Sequence, residues 1–483
     1  MKIIQSFWSA DRDISKDTAG WISPQHHLMA WALSCLKLRE HYDHVELYTD
    51  QTGYDWLIGK LQLPYTKVHV VMDELNTYKK ELWALAKIKA YSLQDTPFVH
   101  VDGDVFIWKP FPPALLEAPL ITQNTELATG YYAHKFRPII AELNYLPEAF
   151  DLRTSPTDIG SCNAGIMGGT DHAFYKRYCQ LAFDMVDKND LSKLSDQTLI
   201  DFNIVFEQVL FCHMAAREKK QIHGLLEKEY TDNGYLYDEI GDFTTLPYTT
   251  GYIHLLGQHK RNAMACNLMT RFLLAEYPEY FYRIKELFNT IVLPDMQTVI
   301  DTPVFKKAVP VSDDMVWPEI IEDVSDFNVL LNTLDKDLLL REETALLQRD
   351  YAGLQSNRFF LQPDNEVMIE RDPLIKIAGL STQVGNFLFE ETALEFANID
   401  DTFQVTILPD VVEGRYKASL LEPLDYVILA CLEEKITFGA LLEAVASAFS
   451  GPDVNAALSD YHSLVLSALK KLNVNKCVHI HFQ

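Results

Sequence analysis

Over roughly the first 290 residues, short apolar stretches alternate with longer ones spaced like helices. Ile3–Trp8, Val45–Tyr48, Lys67–Met72 and Phe98–Trp108 have the length and β-branched or aromatic content of strands. His27–Leu38, Tyr54–Leu61 and Leu82–Leu93 lie between them with helical periodicity. Strands separated by helices pair in parallel, because each crossover needs a dozen or more residues. The first part of the chain is therefore expected to be an α/β domain, Rossmann-like, with a mixed but mainly parallel sheet. Asn163–Gly169 adds a glycine-rich strand, Phe202–Met214 a buried helix and Tyr252–Gly257 a further strand. Thr270–Phe288 reads as two helical pieces broken by Pro278.

At 483 residues the chain is long enough for two or three domains. Its 48% apolar and 23% charged residues are ordinary for a globular protein. The net charge of −26 makes the chain a poor general nucleic-acid binder, whose phosphate contacts need a basic surface, and leaves room only for a local basic groove. The seven cysteines are odd in number, widely spaced and without a CxxC pair, which argues against a zinc cluster or a disulfide framework. Free thiols in a reducing cytoplasm are the simplest expectation. The opening MKIIQSFWSADRD meets charge before any long apolar core, unlike a signal peptide. No apolar run approaches the ~20 residues of a membrane span, so none is expected.

The chemistry concentrates in two patterns. Asp102-Gly103-Asp104 interrupts an otherwise apolar stretch, with Phe98, Val99 and Val101 before it and Val105, Phe106 and Ile107 after it. Two carboxylates at a buried strand end cost several kcal/mol each unless paired. A hard divalent cation, Mg²⁺ or Mn²⁺, removes that cost and commonly holds phosphates as well. The alternative is ordinary strand-end turn chemistry. The second pattern, HLLGQHK, places His254, Gly257 and Lys260 after a strand as H-x-x-G-x-x-K. It offers an imidazole ligand, a tight loop and a cation for a diphosphate.

A DxD after an apolar strand, followed by NAGIMGG and then H-x-x-G-x-x-K, resembles metal-dependent glycosyltransferases of the GT-A fold, in particular the retaining, glycogenin-like family. The stretches HLMAWALSCL, LQLPYTKVHVV and FVHVDGDVFIWKPF also look like an uncharacterised bacterial GT-A-like family. The resemblance spans about residues 1–290. It implies that Asp102, Asp104 and His254 bind Mn²⁺ (or Mg²⁺) and that Lys260 contacts the diphosphate of a nucleotide sugar, UDP-linked by family habit. It makes Lys87, on WALAKIKAYS, a donor contact, and Asn163, Ala164 and Gly165 part of the sugar and acceptor pocket. Glu207-Gln208 stands where the family usually shows Asp-Gln near the reacting centre. Ser6, Phe7 and Trp8, with Asp50, occupy the strand ends that the family uses for base and ribose. Asp50 reads equally as a helix N-cap, and Trp8 as core. Glu207 or Asp158 is a candidate base, unless the leaving phosphate takes the acceptor proton itself.

Composition shifts after about residue 290. The expected division is a GT-A-like catalytic domain over 1–300, a Pro-containing linker over 301–318 and an accessory α+β region over 319–483. Leu424–Leu432, Phe438–Phe449 and Tyr461–Leu472 read as three helices before a strand, Val474–Phe482. That order is loosely similar to winged-helix modules that bind leader peptides by strand addition, which implies a ribosomally made peptide or protein as acceptor. His479 and His481 fall on one face of the last strand, which is expected to be exposed. The functional expectation is a cytoplasmic metal-dependent glycosyltransferase. A GT-A-like scaffold without turnover is the alternative. A nucleotidyltransferase would show an early glycine-rich basic loop, absent here.

Overall fold

The computed structural model describes residues 1–127, 129–150, 160–232, 234–288, 298–299, 338, 342–381, 402–412, 415–450 and 458–482. The linker expected at 301–318 and Asp158 lie outside these residues. The chain divides into two compact units, one of Met1–Ala265 with Glu279–Phe288, the other of Cys266–Pro278 with Asn289–Gln483.

The first unit is a mixed α/β fold around a seven-stranded, mostly parallel, Rossmann-like sheet. Its strands are β1 (Lys2–Phe7), β2 (Val45–Thr49), β3 (Lys67–Val70), β4 (Phe98–Val101), β6 (Ile121–Glu126), β7 (Ser161–Gly169) and β8 (His223–Gly224), in the order β3-β2-β1-β4-β7-β6-β8. Only β7 runs against its neighbours β4 and β6. Alternate residues bury against opposite faces: Ile4 and Phe98 pack with Tyr91, Tyr175 and Phe206, whereas Ile3 and Val99 pack with Leu38 and Ile166. Burial on both sides is what parallel strands of this composition require. A separate antiparallel ribbon joins β5 (Val105–Ile107) to β9 (Tyr252–His254).

The helix Pro24–His41 starts earlier than its apolar spacing indicates, because Ser23 caps it and Pro24 suits its first turn. The helix Asp196–Arg217, at 22 residues, is the one helix among the described residues long and apolar enough by composition to cross a membrane. Most of it is packed inside the first unit, as a core helix would be. All seven cysteines are free.

In the second unit, β10 (Thr298–Val299), β12 (Lys376–Ser381), β13 (Thr402–Asp410) and β14 (Arg415–Leu421) form an antiparallel sheet ordered β10-β14-β13-β12. The helices Pro423–Cys431, Phe438–Ser450 and Leu458–Val474 pack with a three-stranded sheet ordered β15-β11-β16. Its strands are β11 (Met368–Arg371), β15 (Ile436–Thr437) and β16 (Val478–His481). The last strand is shorter than expected, because the preceding helix runs through Val474 and Lys476 turns the chain with φ of 62°. Val478 and Ile480 point inward, while His479 and His481 meet Asp372 and Glu370 at 2.8 Å each.

Candidate metal and donor site

The two sequence patterns converge. Parallel strands deliver their carboxyl ends to one edge of the sheet, and β4 ends at Val101, directly before Asp102. The backbone N–H of Asp102 donates to the Gly165 carbonyl at 2.9 Å. Gly103 lies against the Trp31 ring, where a Cβ would sit 2.5 Å from a ring carbon. Asp104 leads into β5, whose Val105 is in register with His254 on β9. That pairing brings residues 150 positions apart to one point. Ligand atoms of Asp102, Asp104 and His254 all lie within 4.8 Å of one another.

Cationic side chains surround them. Lys260 Nζ is 2.8 Å from Asp104 Oδ2. Lys87 Nζ is 2.8 Å from Asp102 Oδ2 and 2.9 Å from Glu207 Oε1, and donates to the Ala164 carbonyl at 3.3 Å. Three carboxylates thus face two lysines. Burial pushes the Asp102 carboxyl up to about 6, with Asp104 and Glu207 adding to the rise against the pull of Lys87. Burial acts the same way on Asp104, but the Lys260 charge outweighs it and holds that carboxyl well below the usual range. Lys87 is buried too, yet Asp102 and Glu207 keep its ammonium firmly charged. His100, 3.6 Å from Asp102, is held neutral by burial, with the Lys87 charge acting in the same sense.

The donor set suits a hard divalent cation: two carboxylates and an imidazole, with a surplus negative charge. One contact supports this directly. His254 Nδ1 meets the Gln123 carbonyl oxygen at 2.6 Å and therefore carries the ring proton. Its Nε2 lone pair then faces Asp104 Oδ1 at 3.4 Å. In that tautomer two acceptors face each other at a separation that a divalent cation would bridge.

Glu207 lies on the π-helical turn Val205–Val209, a local widening frequent at functional sites. It is fully buried, and Gln208 Nε2 reaches its Oε2 at 3.5 Å. Asn163 accepts from the Gly165 N–H at 2.9 Å, and its carbonyl accepts from Thr122 at 2.6 Å. Gly257 begins the turn carrying Lys260, with φ of +53°. The proposed nucleotide contacts sit differently. Ser6 Oγ is 2.9 Å from His100 Nε2. Phe7 packs on His27 and Trp31. Trp8 is in the core, its indole N–H donating to Asn76 at 2.6 Å. Asp50 caps the turn at Gly53 and accepts from Ser9 N–H and Oγ–H, so its carboxylate is engaged by the fold.

Sequence reasoning overlooked Gln123, Glu126, Tyr235 and Tyr252. Glu126, buried beside this site, is bonded by the hydroxyls of Tyr132 and Tyr235, and burial raises its carboxyl. The available signal was TQNTE, five polar residues in a row on a strand that has to be buried.

In comparisons with known proteins, no curated protein matches the chain in sequence. Among solved structures, apo mouse xyloside xylosyltransferase 1 is similar at 13% identity and a TM-score of 0.24, covering 46% of this chain and 84% of that one. Residues 1–287 match the family described as a family of unknown function (DUF6734). The match takes in the whole sheet and the Asp102–Asp104–His254 cluster, and the chain belongs to that family.

Proposed function

We propose that the first unit is a GT-A-type glycosyltransferase that moves a sugar from a nucleotide donor, a UDP-sugar, to an acceptor hydroxyl. The convergence of Asp102, Asp104 and His254 beside Lys260 carries this reading. These three residues would hold Mn²⁺ or Mg²⁺, which when bound offsets negative charge on the departing diphosphate. Lys260 supplies a second positive charge to the same phosphates from a short turn at Gly257. Lys87 is locked between Asp102 and Glu207 and orients both carboxylates. Glu207 and Gln208 face the reacting centre from the π-helical turn, where Glu207 serves as base or the leaving phosphate takes the proton. Asn163, Ala164 and Gly165 line the sugar pocket, and Ser6 and Phe7, at the end of β1, border the base and ribose.

The free thiols favour a cytoplasmic setting. For the acceptor, we take the second unit as the recruiting module. Among the described residues β16 pairs on one side only, which suits capture of a peptide by strand addition in a winged-helix-like manner.

Calorimetric titration of UDP with and without Mn²⁺ tests the donor site. Binding should require Mn²⁺ and vanish in Asp104→Asn. Equal UDP affinity in both proteins overturns the assignment. Mn²⁺-dependent hydrolysis of UDP-sugars then separates an enzyme from a scaffold that binds without turnover.

A further inference from the structure

We propose that Gln123 is a positioning residue which, with Tyr252 and Gly165, fixes the His254 ring so that Nε2 is presented to the aspartate pair. This inference rests on the metal reading of the site. Gln123 is fully buried in β6, away from any solvent that would otherwise satisfy it. Its carbonyl oxygen accepts from the Tyr252 hydroxyl at 2.7 Å and from His254 Nδ1–H at 2.6 Å. An amide oxygen only accepts, so this contact selects the Nδ1–H tautomer and leaves the Nε2 lone pair for a cation.

The backbone is shaped for the same purpose. Pairing of β6 with β7 slips between Thr122 and Asn124, which face Met167 and Asn163. Gln123 and Gly165 both lie in that irregular stretch. Bulges re-aim side chains beside functional sites. At Gly165 a Cβ would stand 2.5 Å from His254 Nδ1 and 2.6 Å from Gln123 Oε1, so only glycine leaves room for this contact. The arrangement is an outer-shell bracket: an acceptor, a tyrosine that orients the acceptor, and a glycine that admits the ring.

The test uses the full chain, with Mn²⁺ alone as probe and free Mn²⁺ read by its electron paramagnetic resonance signal. Gln123→Leu should weaken Mn²⁺ binding by about 10- to 100-fold. Gln123→Glu keeps an acceptor for both donors and should bind at least as tightly as wild type. Tyr252→Phe should weaken binding by a smaller factor. Equal affinity in Gln123→Leu and wild type, or equal weakness in Gln123→Glu and Gln123→Leu, overturns the proposal. If Gln123→Leu does not fold, Gln123→Glu and Tyr252→Phe decide: a Tyr252→Phe protein as tight as wild type, or a Gln123→Glu protein weaker than wild type, overturns it. Imidazole ¹⁵N spectra of metal-free protein, with His254→Gln for assignment, supply a readout independent of the metal. They should show His254 as Nδ1–H in wild type; the Nε2–H form overturns the proposal. A wild type that takes up no Mn²⁺ but shows the Nδ1–H form defeats the metal reading and leaves the role of Gln123 standing.

Discussion

Each of the two units buries a cluster of carboxylates, and they treat it in opposite ways. In the second unit Arg271 bridges Asp350 and Asp410 at 2.7 Å each, Lys476 meets Asp350 at 2.7 Å, and Arg349 pairs with Asp372. Cations there match anions, and the Asp410 carboxyl is held far below the usual range because Lys476 and Arg271 outweigh its burial. Among the described residues of the first unit, Asp102, Asp104 and Glu207 face the ammonium groups of Lys87 and Lys260; Lys260 holds Asp104 low as the cations hold Asp410, but Asp102 is raised. A matched network is built to hold a fold together. A cluster left one positive charge short, with a histidine lone pair aimed into it, is built to receive something.

The sharpest way to break this contrast is to neutralise one acid in the first unit. Asp104→Asn should abolish Mn²⁺-dependent UDP binding in calorimetry while thermal unfolding stays close to wild type. Arg271→Ala should do the reverse. It leaves Lys476 to offset two buried carboxylates, Asp350 and Asp410, and should cost about 3–5 kcal/mol in denaturant unfolding, with Mn²⁺ uptake intact.

Acid sharpens the comparison. Asp372 and Asp410 have lowered folded values, so their stabilisation is present above the ordinary carboxylate range and is lost as pH falls below it. Asp102 has the opposite sign: its contribution to stability is present below the ordinary range and is lost as pH rises through about 6. A cation needs the ionised form of Asp102. Mn²⁺ affinity should therefore drop by about tenfold per pH unit below that point, with proton release on binding measurable in buffers of different ionisation heat. The smallest effect is expected of Lys260→Ala. UDP should bind about tenfold more weakly in the presence of Mn²⁺, since one charged contact is lost. Mn²⁺ itself should bind no less tightly, because a competing cation has left Asp104.

Much of this was legible in the residues. The strand–helix alternation marks the parallel sheet, and DGD between apolar runs marks its loaded edge, because burial makes those two acids expensive. Local pattern also carried HLLGQHK, whose histidine and lysine both reach Asp104. Distance in sequence hid the rest. Nothing in FEQVLF says that Glu207 closes on Lys87, 120 positions earlier, since that contact is made by packing of the helix Asp196–Arg217. Gln123 was invisible for a similar reason: its role depends on a register slip between β6 and β7. Asp50 shows the converse. Its place at a strand end suits a ligand contact, yet Ser9 and Gly53 engage it. The winged-helix likeness rests on spacing and hydrophobicity, and neither specifies how a sheet's edges are used.

The central claim is that one cation sits among Asp102, Asp104 and His254. Electron spin-echo modulation of the Mn²⁺-loaded protein tests it most directly. A cation at this site should show the coupling of a single directly bound imidazole nitrogen that disappears in His254→Gln. Absence of nitrogen coupling in wild type, or its persistence in His254→Gln, would contradict it.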